Sequence, residues 1–149
     1  MGDFNKLKSR YSLPAFELLD KEFDISTIEY DFFLLREIRK KIAEKIEGAT
    51  KIFDDLLHPE AGFAKFREAE IFGEQEREQL LVLYRKLMYY DRLSMELSFN
   101  DSDDLNAKFI VDFCKDWPNL KKQIISYVAR MKESWQKEIP KKDAVRYLG

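Results

Sequence analysis

The sequence predicts an all-α fold, an up-and-down antiparallel helical bundle with three long helices and two or three short ones. Three observations carry that reading. Apolar residues recur at spacings of three and four over long stretches, the mark of helices with one buried face. Only five residues are Gly and four are Pro, too few for the punctuation that β-hairpins need. No segment alternates apolar and polar residues for the length of a strand. The 149 residues are 45% hydrophobic and 36% charged, which supplies both a core and long wet helix faces. A chain of this length is expected to form one domain over 1–149, burying roughly two-thirds of its unfolded surface.

Residues 1–12 are polar and mixed in charge, and together with 138–149 are expected to be loosely ordered tails. Ser12 followed by Pro14 starts a short helix from about 13 to 22, with Pro in the first turn, where it gives up no intrahelical hydrogen bond. Ser26 with Glu29 three residues later has the pattern of a capping box, so the longest helix is expected over 27–57, ending at His58 before Pro59. Its buried stripe is Phe32, Leu35, Ile42, Ile46, Ala49, Phe53 and Leu56, and Gly48 within it marks a bend or a close helix crossing. Phe63, Phe66 and Ala69 to Phe72 make a short helix that Gly73 can end in the left-handed conformation.

The next long helix starts with Glu74, Glu76 and Glu78, which complement the positive end of its dipole, and runs to about Ser98. Leu80, Leu83, Tyr84, Leu87 and Met88 are its apolar face. Asn100 to Asp104 is a turn whose side chains can cap a helix over Leu105–Cys114. Asp116, Trp117 and Pro118 then reset the chain, and Leu120, Ile124, Val128, Met131 and Trp135 stripe a last helix to about Lys137.

Composition narrows the function classes. A formal net charge of −2 provides no global field for nucleic acid or an anionic membrane. Cys114 is the only cysteine, so no intrachain disulfide framework can form, and a reducing, cytoplasmic setting is expected. The N-terminal residues lack the apolar run of a signal peptide, and no window reaches the ~18 apolar residues of a spanning helix. No membrane partner is expected.

Candidate catalytic parts are scattered. His58 follows Asp54 and Asp55, but one histidine cannot supply the paired Glu-x-x-His ligands of a helical di-metal site; its role is expected to be capping carbonyls at the helix end. Glu37, Glu44 and Glu47 could meet Glu74 to Glu78 or Asp91 in an all-carboxylate Mg²⁺ site, the chemistry of a carboxylate and metal-dependent hydrolase. They alternate with Lys40, Lys41, Lys45 and Lys51, however, the pattern of solvated intrahelical ion pairs. No Gly-rich phosphate loop or nucleophile elbow is present. The expectation is a protein that is not an enzyme and has no cofactor and no metal.

Local charge is more informative than the total. From Trp117 to Gly149 eight Lys or Arg stand against three acids, and from Asp101 to Asp116 five acids stand against two lysines. Arg36, Arg39, Lys40 and Lys41 form one basic cluster; Lys121, Lys122, Arg130, Lys141, Lys142 and Arg146 form another. With Tyr127, Trp135 or Tyr147 beside them, these could track phosphates and stack bases. The plain alternative is that they are solvated helix faces and that both Trp lie in the core. Twelve Phe residues are generous for this length, and Phe4, Tyr11, Phe33, Tyr89, Tyr90 and Phe99 fall off the apolar stripes, as anchors for a protein partner or a homodimer would.

The stretch FFLLREIRKKIAEKIEGATKIFDDLL (32–57), followed by EREQLLVLYRKLM (76–88), resembles small all-helical proteins of archaea. The same pair is similar to the helical domain of GINS replication-complex subunits, where an Arg-bearing helix ending in Lys-Ile-Glu precedes a helix with an acidic start. The resemblance covers under half the chain, and the β-rich second domain of many GINS subunits has no counterpart. It implies an assembly role. The function expected is thus a non-enzymatic helical interaction module, an adaptor or assembly subunit, with a nucleic-acid-associated protein as the alternative.

Overall fold

A computed structural model describes residues 2–29, 32–59 and 62–137. Among these the chain forms six α-helices and no strand: α1 (Gly2–Tyr11), α2 (Phe16–Phe23), α3 (Leu34–Leu57), α4 (Phe63–Glu70), α5 (Glu74–Phe99) and α6 (Asp103–Ser134). A single 3₁₀ turn, Ile25–Thr27, follows α2. The chain divides into two compact units, Met1–Gly48 with Met88–Pro118 and Ala49–Leu87 with Asn119–Gly149. Helices α3, α5 and α6 each supply residues to both units.

The first unit is built around an aromatic ladder on α6. Phe109, Phe113 and Trp117 lie four residues apart, on one helix face, with ring centroids 6.2 Å and 5.4 Å apart along the series. Phe23 of α2 tilts against Phe113 and Trp117, and Tyr90 of α5 meets Phe113 edge-on at 5.0 Å. The indole of Trp117 donates to Glu22 Oε2 at 2.9 Å, so the polar end of this buried ring has its acceptor. Leu35, Ile38, Ile42 and Ile46 bring the apolar stripe of α3 to this core. Each such side chain contributes about 1.5–3 kcal/mol on full burial.

The second unit buries Phe53, Leu56, Ala69, Phe72, Leu80, Leu83, Leu87 and Leu120. Tyr127 lies between Phe53 and Phe72, at 5.8 Å and 5.4 Å. Arg130 covers the outer face of Phe72 at 4.7 Å and donates to the Ile71 carbonyl at 2.8 Å.

Several expectations need correction. Residues Gly2–Tyr11, expected to be a loose tail, form α1, anchored by the buried Phe4 edge-on to Phe16 at 5.4 Å. The other expected tail, 138–149, lies outside the described residues. The long helix starts at Leu34 rather than near Thr27, because the Ser26 N–H is taken by Asp20 Oδ1 at 2.8 Å and the segment closes instead into the 3₁₀ turn. Phe32, lying before the helix, is 78% exposed and does not belong to the stripe. Gly48 marks no close crossing, since a Cβ there would meet nothing within 4 Å. α4 is capped by Ile71 in right-handed geometry and Gly73 takes no left-handed conformation.

Pro118 does not reset the chain but lies inside a continuous α6. The helix forgoes one hydrogen bond there, while buried Trp117 and Leu120 hold it on both sides. At its C-terminal end the stripe is only partly covered: Val128 and Trp135 are exposed. By contrast the turn before α6 caps as expected, with Ser102 Oγ accepting from the Leu105 N–H at 3.1 Å.

Candidate functional site

The basic residues singled out by sequence fall into two groups with different fates. In the first unit Arg39 is a correction: at 2% exposure it is no part of any surface. Its Nη1 donates to the Ser94 carbonyl at 2.7 Å and to Ser94 Oγ at 2.9 Å, and its Nε donates to Asn106 Oδ1 at 2.8 Å. Asn106 Nδ2 in turn donates to Asp101 Oδ1 at 2.6 Å, so the buried cation reaches its nearest carboxylate through an amide. Burial pulls its pKa below the usual arginine value, and Asp101 opposes that shift. Arg39 is a polar pin tying α3 to α5 and α6.

Arg36, one turn earlier, lies over the Phe33 ring at 4.2 Å and ion-pairs with Asp101 at 3.8 Å and Glu37 at 3.7 Å. Lys40 is exposed and pairs with Glu37 at 3.4 Å, and Lys41 is half-buried. In the second unit Lys122 is exposed, Lys121 is half-buried, and Arg130 ion-pairs with Glu76 while covering Phe72. Lys141, Lys142 and Arg146 lie outside the described residues, as does Tyr147.

Two clefts among the described residues hold few reactive groups. The largest of those described, about 380 Å³, is in the second unit and is lined by Glu76, Gln79, Val82, Gln123, Ser126, Tyr127 and Arg130. Its charges pair with each other, and Tyr127 donates to the Glu76 carbonyl at 3.2 Å. Burial raises the Tyr127 pKa, which keeps the phenol protonated as a donor. In the first unit a cleft of about 290 Å³ is bounded by Asp3, Lys6, Leu7, Phe33, Leu34, Leu35 and Asp103. Asp54 accepts from Tyr84 at 3.4 Å, Asp55 pairs with Lys65 at 3.4 Å, and His58 is exposed. No group of three or more His, Cys, Asp or Glu able to hold a metal ion occurs among the described residues.

Exposed aromatic residues are the distinctive feature of the first unit. Phe99, at the end of α5, is 91% exposed, and Phe32, Phe33 and Tyr89 are also exposed. Phe4 and Tyr90, expected on the surface, are buried; Tyr90 donates to Asp116, and burial with that carboxylate holds its phenol pKa well above the ordinary value. Phe33 has a φ of 56°, a left-handed conformation that is uncommon for a bulky residue and costs about 1–2 kcal/mol. That cost is carried by a residue whose ring stays in water under Arg36. Taking a phenylalanine as ~200 Å², Phe32, Phe33 and Phe99 leave roughly 450 Å² of aromatic surface uncovered.

Sequence reasoning missed the buried polar pin, although a signal was present. Arg39 falls between Leu35 and Ile42 on the buried stripe of α3, Ser94 between Tyr90 and Leu97 on that of α5, and Asn106 just before Phe109 and Ile110 on that of α6. Three polar residues on three buried stripes can satisfy each other only by meeting.

No protein-family model, curated protein or solved structure matches this chain. No helix among the described residues is long and apolar enough to cross a membrane.

Proposed function

We propose that the protein is a non-enzymatic helical interaction module, an adaptor or assembly subunit of the cytoplasm, that presents the exposed aromatic residues of its first unit to a protein partner. The observation that carries this reading is the exposure of Phe32, Phe33, Tyr89 and Phe99 in one unit, where Phe4, Phe23, Tyr90, Phe109, Phe113 and Trp117 are buried. Aromatic side chains left on a surface commonly serve as anchors for a partner. The left-handed Phe33 adds to it, because strained backbone persists where structure serves something other than stability. In this reading the three long helices are an antiparallel up-and-down bundle that holds the surface rigid. The similarity to GINS helical domains, on 32–57 and 76–88, fits an assembly role of this kind.

The test is the size of the native complex. The protein, expressed in its own cell at natural level, is separated by size before and after Phe32→Ser with Phe99→Ser. Wild type is expected to run in an assembly larger than its 17.8 kDa chain, and the double variant to run alone. Both forms running alone would overturn the proposal.

The alternative reading, a nucleic-acid role, would use the basic faces around 36–41 and 121–146 without Arg39, which is buried. It predicts binding to mixed RNA and DNA at low salt that weakens steeply as salt rises.

A further inference from the structure

We infer that the partner taken by this surface includes a second copy of the chain, docked antiparallel along the outer face of α5. The inference rests on the interaction reading above and names its occupant.

Within the first unit, α5 carries Tyr89, Arg92, Glu96 and Phe99, spaced three, four and three residues apart. At ~100° per residue these side chains fall within an arc of about 80°, the a and d positions of a two-stranded coil. All four are exposed, Tyr89 at 64% and Phe99 at 91%. Buried positions 87, 90, 94 and 97 occupy the opposite side of the same helix, so the stripe is a second face rather than an extension of the core.

Charge chooses the orientation. A parallel, in-register pair would set Arg92 against Arg92 and Glu96 against Glu96, like charges at each layer. An antiparallel pair whose two-fold axis crosses level with residue 94 sets Arg92 against Glu96 of the second copy, and Tyr89 against its Phe99. The symmetry repeats both contacts, giving two ion pairs flanked by two aromatic pairs. In one chain Arg92 Nη1 meets Asp91 and the Met95 sulfur, at 3.4 Å from the latter. The guanidinium fork carries five donors, so it can keep those contacts and still reach the second carboxylate. Met95, itself exposed, flanks the stripe and widens its apolar part.

The area sets the strength. Tyr89, Phe99 and Met95 together leave roughly 400 Å² uncovered per copy, near 800 Å² for the pair, which is below the roughly 1,000 Å² a stable interface clears and fits a weak, transient pair. The expected dimer is therefore weak and reversible.

Sedimentation equilibrium on the full chain, from about 5 to about 500 µM, tests this. Wild type is expected to follow a monomer–dimer equilibrium. Arg92→Glu alone and Glu96→Arg alone should each weaken it about tenfold or more, by placing like charges opposite each other. An equimolar mixture of these two variants should associate at least as tightly as wild type, since every pair is then complementary again. Phe99→Ser should be monomeric, with unchanged far-ultraviolet circular dichroism. A monomeric wild type, a Phe99→Ser variant that pairs like wild type, or a mixture no better than its components overturns the inference. A monomeric wild type whose native complex still depends on Phe32 and Phe99 removes the self-pairing and leaves the interaction reading intact; loss of both results removes both.

Discussion

Replacing Arg39 tests whether the buried pin is a structural element of the first unit. Arg39→Ala removes a side chain that is 2% exposed and leaves a void like that of a buried Met→Ala change, about 2–5 kcal/mol. It also strips Asn106 Oδ1 of its donor, adding about 1–3 kcal/mol. Against this, the folded state no longer has to hold a desolvated cation, whose Nη2 has no acceptor among the described residues. The net expectation is a loss of about 3–4 kcal/mol, or a fall of ~1.5–2 M in the urea midpoint at an m-value of about 2 kcal/mol/M. Arg39→Met keeps most of the volume and removes the charge, so it should lose about 1–2 kcal/mol. Trp117 fluorescence in a Trp135→Phe background reports on the first unit, where Trp117 is buried. A loss below about 1 kcal/mol for Arg39→Ala, or equal losses for Ala and Met, would refute this reasoning.

Other consequences can be measured separately. Cys114, whose thiol burial pushes up to about 12, should react with a disulfide reagent at pH 8 roughly a thousandfold more slowly in the folded chain than in urea. A rate near that of the unfolded chain would contradict this. The Asp20 carboxylate is held below its ordinary pKa by hydrogen bonds from Ser26. The folded value is the lower one, so the contribution is present above the unfolded value near 4 and is lost as pH falls through the folded value. Asp20→Ala should therefore be less stable than wild type at pH 7, with the gap closing as pH falls below the unfolded value near 4. Pro118→Ala restores an N–H inside α6 and should raise stability by about 1–2 kcal/mol in urea unfolding; a fall would mean that the helix depends on its proline.

The helices were legible where the period of the apolar residues is long and regular. Leu35, Ile42, Ile46, Phe53 and Leu56 mark α3, and Leu80, Leu83 and Leu87 mark α5, because burial on one face imposes that spacing. Boundaries were less legible, because they turn on competition between polar groups. Ser26 and Glu29 have a capping-box pattern, yet Asp20 lies one loop back in space and takes the Ser26 N–H first. Pro118 reads as a break only while α6 is considered alone; the packing of Phe113, Trp117 and Leu120 supplies what the lost hydrogen bond withdraws. In the site, Phe33, Tyr89 and Phe99 are exposed as their place off the stripes suggested, but Phe4 and Tyr90, equally off the stripes, are buried, and Phe32, on the expected stripe, is exposed. Arg39 was misplaced because arginine is ordinarily a surface residue, and only the coincidence with Ser94 and Asn106 reveals a buried one.

The claim that the aromatic surface exists to touch another protein is tested most directly by photo-crosslinking in the native cell. A photoreactive residue replaces Phe99 in one strain and the exposed Lys45 of α3 in another. The account predicts discrete protein adducts from position 99 that are absent from position 45. Equal yields from the two positions, or no adduct from either, would contradict it.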